Sequence, residues 1–174
     1  SIQYEVMNSM KRLILVLVCL LLFAGCAGPT VYTSAELQLE IPPRWQVSPV
    51  EADLDQYFFY SPDGGMIYLS YQPNPSEDYL AQSGMLEIFI QAFTWGIPDA
   101  QVLDISQEEM AGYNWAKVSY TGEQDGVTWY NELYIAYTPS HIYCVCCAAP
   151  QDDFDGLRPT FSQVLDTIQV TPVS

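Results

Sequence analysis

A chain of 174 residues with 21 acidic and only 5 basic side chains has a formal charge of −16 at neutral pH. That balance repels phosphate backbones and argues against a nucleic-acid partner. An apolar content of 49%, with 14% aromatic residues, excludes intrinsic disorder, and no repeat or low-complexity block divides the chain.

The first elements concern export. Met10-Lys11-Arg12 is a short basic segment, Leu13 to Leu22 is an unbroken apolar run, and Ala24-Gly25 places small residues directly before Cys26. This order resembles a bacterial lipoprotein signal, which is cut before the cysteine and leaves a diacylglyceryl group on its sulfur. Leu13 to Ala27 is shorter than the ~20 apolar residues of a spanning helix, and no basic stop-transfer cluster follows it. The resemblance implies a signal peptide over 1–25, a lipid-anchored tether over 26–35 and a single domain over 36–172. The expected location is the extracytoplasmic side of a bacterial cell membrane, held by lipid on Cys26. After cleavage 149 residues remain, with Arg44, Lys117 and Arg158 as their only cations and a formal charge of −17. Such a surface is also repelled by anionic headgroups, while cationic partners and divalent ions remain open.

Beyond the tether, Leu37-Gln-Leu-Glu-Ile41 alternates as a strand does and is stopped by Pro42-Pro43. Gln56 to Ser61 and Gly65 to Gln72 flank Pro62-Asp63-Gly64, which predicts a hairpin. Asn74-Pro75-Ser76-Glu77 has the residues of a helix start, a cap followed by a capping box. Leu86, Phe89, Ile90 and Phe93 then form one apolar stripe, ended by Gly96 and Pro98. A strand meander follows, about 101–110, 113–121, 127–137 and 141–148, with Gly112, Asp125-Gly126 and Pro139-Ser140 at its turns. Leu157, Phe161, Val164, Leu165 and Ile168 predict a closing amphipathic helix. The expected class is α+β: one mostly antiparallel sheet with amphipathic helices packed on its faces.

Ile41-Pro42-Pro43-x-Trp45 after a first strand resembles the opening of PsbP-like and DcrB-type domains, shortened by one residue. The following order of hairpin, amphipathic helix, aromatic meander and closing helix is similar too, over about Glu36 to Val170. The resemblance implies an α/β/α sandwich and a binding or accessory module rather than an enzyme. No residue here matches a known functional residue of that family.

Candidate chemistry is sparse. His141 is the only histidine, and Cys147 lies about 20 Å from it along a strand, too far for a base to serve a thiol. A remote Ser or Asp could still approach His141. Cys144, Cys146 and Cys147 form no disulfide framework, and neighbours on a strand diverge, so they predict packing rather than a metal site. Asp152-Asp153-Phe154-Asp155-Gly156 carries Asp153 and Asp155 at calcium-loop spacing, but Gln151 and Ser162 stand where ligands belong. The commoner explanation is a turn capping the last helix. Glu108-Glu109 and Glu123 with Asp125 are carboxylate pairs of the sort chance supplies in an acidic chain. Tyr130 and Tyr134 share one strand face, either covered by a helix or exposed as a partner-binding patch. The expected function is a non-catalytic module at the membrane surface with an unknown protein partner and with no cofactor and no metal. The alternative is a small extracytoplasmic hydrolase using carboxylates.

Overall fold

A computed structural model describes residues 28–51, 56–82 and 84–171. The segment read as a signal peptide, with Cys26, and the last three residues lie outside them. Among the described residues ten strands and two helices run in the order β1 (Thr30–Ser34), β2 (Leu37–Ile41), β3 (Gln46–Glu51), β4 (Gln56–Tyr60), β5 (Met66–Pro73), α1 (Met85–Thr94), β6 (Gln101–Met110), β7 (Tyr113–Gln124), β8 (Val127–Tyr137), β9 (His141–Pro150), α2 (Phe154–Leu165) and β10 (Gln169–Val170).

Seven strands make one antiparallel sheet in the order β3-β4-β5-β9-β8-β7-β6, and β1-β2-β10 make a second, smaller one. The α+β class with helices on both faces therefore holds. Residues of β9 alternate between two cores. Tyr143, Val145, Cys147 and Ala149 face the small sheet and α2, where Leu37, Leu39, Ile41, Phe154, Phe161 and Val164 meet them. Ile142, Cys144 and Cys146 face the other way, toward Ile90 of α1 and toward Val118, Tyr120, Leu133 and Ile135. Trp45 of the Ile-Pro-Pro-x-Trp segment packs half-buried on the first core, beside the fully buried Ile41.

Two expectations need correction, and two strands went unpredicted. The segment expected to be a tether over 26–35 is not irregular throughout, because Thr30–Ser34 is β1, paired residue for residue with β2. Strand β3 was not foreseen, because Pro49 lacks an N–H; it is tolerated on this edge strand beside a register shift. Strand β10 has two residues, too few to show a period. Helix α1 begins at Met85 behind Gly84, not at Asn74. Asn74 is drawn instead to the β8–β9 turn: its N–H donates to Ser140 O (2.8 Å) and its Nδ2 to Thr138 O (2.8 Å). Its Oδ1, the atom that would cap a helix, accepts no hydrogen bond.

The small sheet is held to the large one by a buried carboxylate. Glu36 sits in the β1–β2 turn, which Ala35 enters with φ 51°, and is 6% exposed. Its Oε2 accepts from Tyr143 Oη (2.8 Å) and Thr138 Oγ1 (2.7 Å), and its Oε1 from Ser140 Oγ (2.7 Å). Tyr143 Oη in turn accepts from the Glu36 N–H at 3.0 Å. Replacing this carboxylate by an apolar group deprives the buried Tyr143 and Thr138 hydroxyls of their acceptor, at about 1–3 kcal/mol each, while the exposed Ser140 can turn to water. We predict that Glu36→Leu lowers stability by about 3 kcal/mol or more. Urea unfolding should show a lower midpoint with an unchanged slope.

Candidate functional site

Helix α1 stands over the large sheet without filling the space beneath it. Of its residues only Ile90 is fully buried, while Leu86, Phe89 and Phe93 are half-buried. A cavity of about 320 Å³ opens between the sheet and the end of this helix. Phe58, Met66, Tyr68, Tyr120, Trp129, Asn131 and Cys146 line it from the sheet, and Phe93 with Gly96-Ile97-Pro98 closes it from above. The volume falls within the range of small-ligand pockets. A second hollow of about 300 Å³, lined by Ser70, Ile142 and Cys144, shares Tyr68 and Phe93 with the first. The two rings lie 6.4 Å apart, and Phe58 stacks on Tyr68 at 4.7 Å, so an aromatic wall separates the hollows.

The strap Gly96-Ile97-Pro98 is seated by one glycine. A Cβ at Gly122 would come within 2.4 Å of Ile97 Cγ2, so only the missing side chain lets the strap lie on β7. Gly96 turns the chain with φ 93°, and Pro98 O accepts from the Glu123 N–H at 2.8 Å.

The cavity floor is chemically quiet. Tyr120 Oη and Cys146 Sγ are 3.6 Å apart. Burial raises the Tyr120 phenol far above its usual range and pushes the Cys146 thiol up to about 12, as it does Cys144. Cys147, on the opposite face, is raised well above its ordinary value, again chiefly by burial. All three cysteines are free and buried, as packing side chains are.

The residues singled out from the sequence lie elsewhere. His141 Nδ1 meets Ser140 Oγ at 3.0 Å and Glu36 Oε2 at 3.6 Å, so a serine and a carboxylate do reach it. Both crowd the same nitrogen, whereas a relay needs them on opposite ones, and Ser140 donates to Glu36 instead. Tyr130 and Tyr134 form no exposed patch. Tyr134 is buried, and Tyr130 packs edge-on against Phe154 of α2 at 4.6 Å. Asp153 occupies the N-cap of α2 without a side-chain cap bond, and Asp155 is paired with Arg158 at 3.2 Å. Glu108 pairs with Lys117 at 3.6 Å.

Glu132, which was not singled out, is the buried charge of the α2 face. Arg158 Nη1 donates to its Oε1 at 2.6 Å, and Tyr134 Oη (3.0 Å) and Lys117 Nζ (3.4 Å) engage its Oε2. A hollow of about 230 Å³ beside it is also lined by Glu108, Glu109 and Asp166. Both Glu132 oxygens are thus engaged by donors. Sequence could have hinted at this group: Lys117 and Glu132 lie on neighbouring strands of the predicted meander, and Lys117 is one of few cations.

Sequence reading also missed a second stripe on α1. Ile88, Ala92 and Trp95 stand at i, i+4 and i+7, opposite the stripe that faces the sheet, and the Trp95 side of the helix is bare: that residue is 90% exposed.

The solved structures similar to this chain agree on one architecture. Cyanobacterial PsbP (CyanoP) from Synechocystis superposes with a TM-score of 0.65 at 14% identity, covering 84% of this chain and 95% of that one. The fold is PsbP-like. A Pseudomonas aeruginosa protein of unknown function is similar at TM-score 0.55 and 15% identity, over 84% of this chain and 100% of its own. LpqN of Mycobacterium tuberculosis, involved in cell envelope biogenesis, is similar at TM-score 0.53 and 16% identity, over 85% and 87% of the two chains. No family model matches the chain, and no curated protein matches it at the sequence level. Among the described residues no helix is long and apolar enough to cross a membrane.

The burial of the thiols generates a prediction. In the native PsbP-like domain Cys144, Cys146 and Cys147 should resist iodoacetamide at pH 8 and react once urea unfolds it, read by peptide mass spectrometry. An unfolded thiol begins to ionise near pH 9, but Cys144 and Cys146 hold their protons to about 12 when folded. Stability is therefore full below pH 9 and falls as the pH rises toward 12.

Proposed function

We propose that this protein is an exported, lipid-anchored, non-catalytic binding module, tethered by acyl chains on Cys26 to the outer side of a bacterial cell membrane. Its aromatic cavity under α1 receives a small apolar ligand, and the Ile88–Trp95 stripe meets a protein partner. The observation that carries the reading is the cavity itself. Five aromatic side chains line it, burial keeps the Tyr120 phenol and the Cys146 thiol on its floor neutral, and Glu123 at the rim is the one carboxylate among the lining residues. The basic-apolar-Cys26 order supports the anchor, and the likeness to LpqN, a cell-envelope protein, fits that address. Two acyl chains suffice for stable anchoring, at about 0.8 kcal/mol per buried methylene. A charge of −17 after cleavage keeps the domain off anionic headgroups and away from nucleic acid.

The alternative, a hydrolase using carboxylates, rests on the hollow shared by Glu108, Glu109, Glu132 and Asp166. Lys117 and Arg158 neutralise the buried member of that group, which favours a structural role.

Two measurements test the reading. Cys26→Ser should abolish incorporation of a clickable fatty acid and leave the precursor uncut; equal labelling of both forms overturns the anchor. An environment-sensitive apolar dye should bind the purified protein and lose most of its affinity in Trp129→Ala, a change on the cavity wall. Turnover of an ester or glycan that Glu132→Gln abolishes, with the fold intact, would install the hydrolase instead.

A further inference from the structure

The cavity under α1 also has an electrostatic polarity, and any charge preference there rests on its being the binding site proposed above. The polar side chains lining it include the amides of Gln124 and Asn131 and the hydroxyl of Tyr120, and no cation lines it. The cations of the described residues are placed elsewhere. Lys117 and Arg158 are both bound to Glu132 on the opposite face of the sheet, and Arg44 lies in the turn before β3. Carboxylates, in contrast, adjoin the strap end of the cavity. Asp99 follows Pro98, Glu123 stands between Gly122 and Gln124, and Asp125 opens the next turn; all three are exposed. Glu123 is itself among the lining residues, at the mouth, although strand alternation turns its side chain from the floor that Tyr120 faces.

We propose that the cavity binds an organic cation: a molecule with an alkyl or aromatic body and a protonated or quaternary amine at one end. Five aromatic side chains, Phe58, Tyr68, Phe93, Tyr120 and Trp129, offer apolar contact along their sides and negative ring faces to a cationic head. The acidic mouth and the acidic surface around it concentrate cations and repel a carboxylate or phosphate head. A fatty acid of the same length would find no cation to meet it. The strap, which Gly122 allows to lie on β7, forms the upper wall of the cavity.

The test is isothermal titration calorimetry of the purified protein at low salt with dodecyltrimethylammonium, dodecyl maltoside and dodecanoate, each below its micelle concentration. The cation should bind about tenfold or more tighter than dodecanoate, with the neutral probe between them. Neutralising the mouth by Asp99→Asn, Glu123→Gln and Asp125→Asn together should weaken the cation about fivefold and leave the neutral probe unchanged. The control removes the same total charge at the far face, by Glu40→Gln, Glu109→Gln and Asp166→Asn, and should change the cation less than about twofold. Equal affinity for all three probes, or equal loss in both triple variants, overturns charge selection while leaving the cavity a binding site. Absence of binding by any probe overturns the binding-module reading itself.

Discussion

Burial of one strand on both its faces governs the rest of the molecule. From Ile142 to Ala149 every side chain of β9 is buried, so the sheet must be covered twice. A two-layer arrangement would leave either Tyr143, Val145 and Cys147 or Ile142, Cys144 and Cys146 in water. At about 1.5–3 kcal/mol per large apolar side chain, neither exposure is affordable against a domain's net stability. The covering layers differ, however. On one face α2 and the small sheet pack tightly, and Glu36 fastens that small sheet through Tyr143, a residue of β9 itself. On the other face a single ten-residue helix covers a sheet of seven strands, and it cannot reach all of it. The cavity is the geometric remainder.

The same asymmetry separates charge from apolar binding surface. Both buried carboxylates, Glu36 and Glu132, lie on the tightly packed face and have donors on both oxygens. Removing a partner from such a group strands a charge, which makes it a structural commitment. Two of the few cations are consumed there, and the α1 face is left without positive charge. What that face retains is aromatic surface, neutral amides and a negative field. The charge preference proposed for the cavity therefore follows from where the scarce cations are placed.

Periodic information was legible in the sequence and cross-chain information was not. The meander, the β4–β5 hairpin and the closing helix are written in alternation and in the Leu157–Phe161–Val164–Leu165 spacing, and they stand where that pattern puts them. Strand β1 was hidden because Thr30–Ser34 is polar and mostly exposed, so its order comes from backbone pairing with β2. Asn74 misled because its capping chemistry is local, whereas its bonds run to Thr138 and Ser140 of a distant turn. Tyr130 and Tyr134 shared a face as expected, but only the docking of α2 decides whether that face meets water.

The cavity was the least legible feature, for a physical reason. Its walls come from β4, β5, β7, β8, β9 and the strap, and its existence depends on atoms that are missing, above all a Cβ at Gly122. In the sequence this glycine reads as a weak spot near the end of a strand, where it would ordinarily be disfavoured. The Ile97 contact explains its presence, since any side chain there would lift the strap and loosen the end of α1. Helix α1, held at its C-terminal end by that strap, has Ile90 as its one fully buried residue. The tightly packed face and the face that holds the cavity are different surfaces, and the division follows from which side of β9 the second sheet covers.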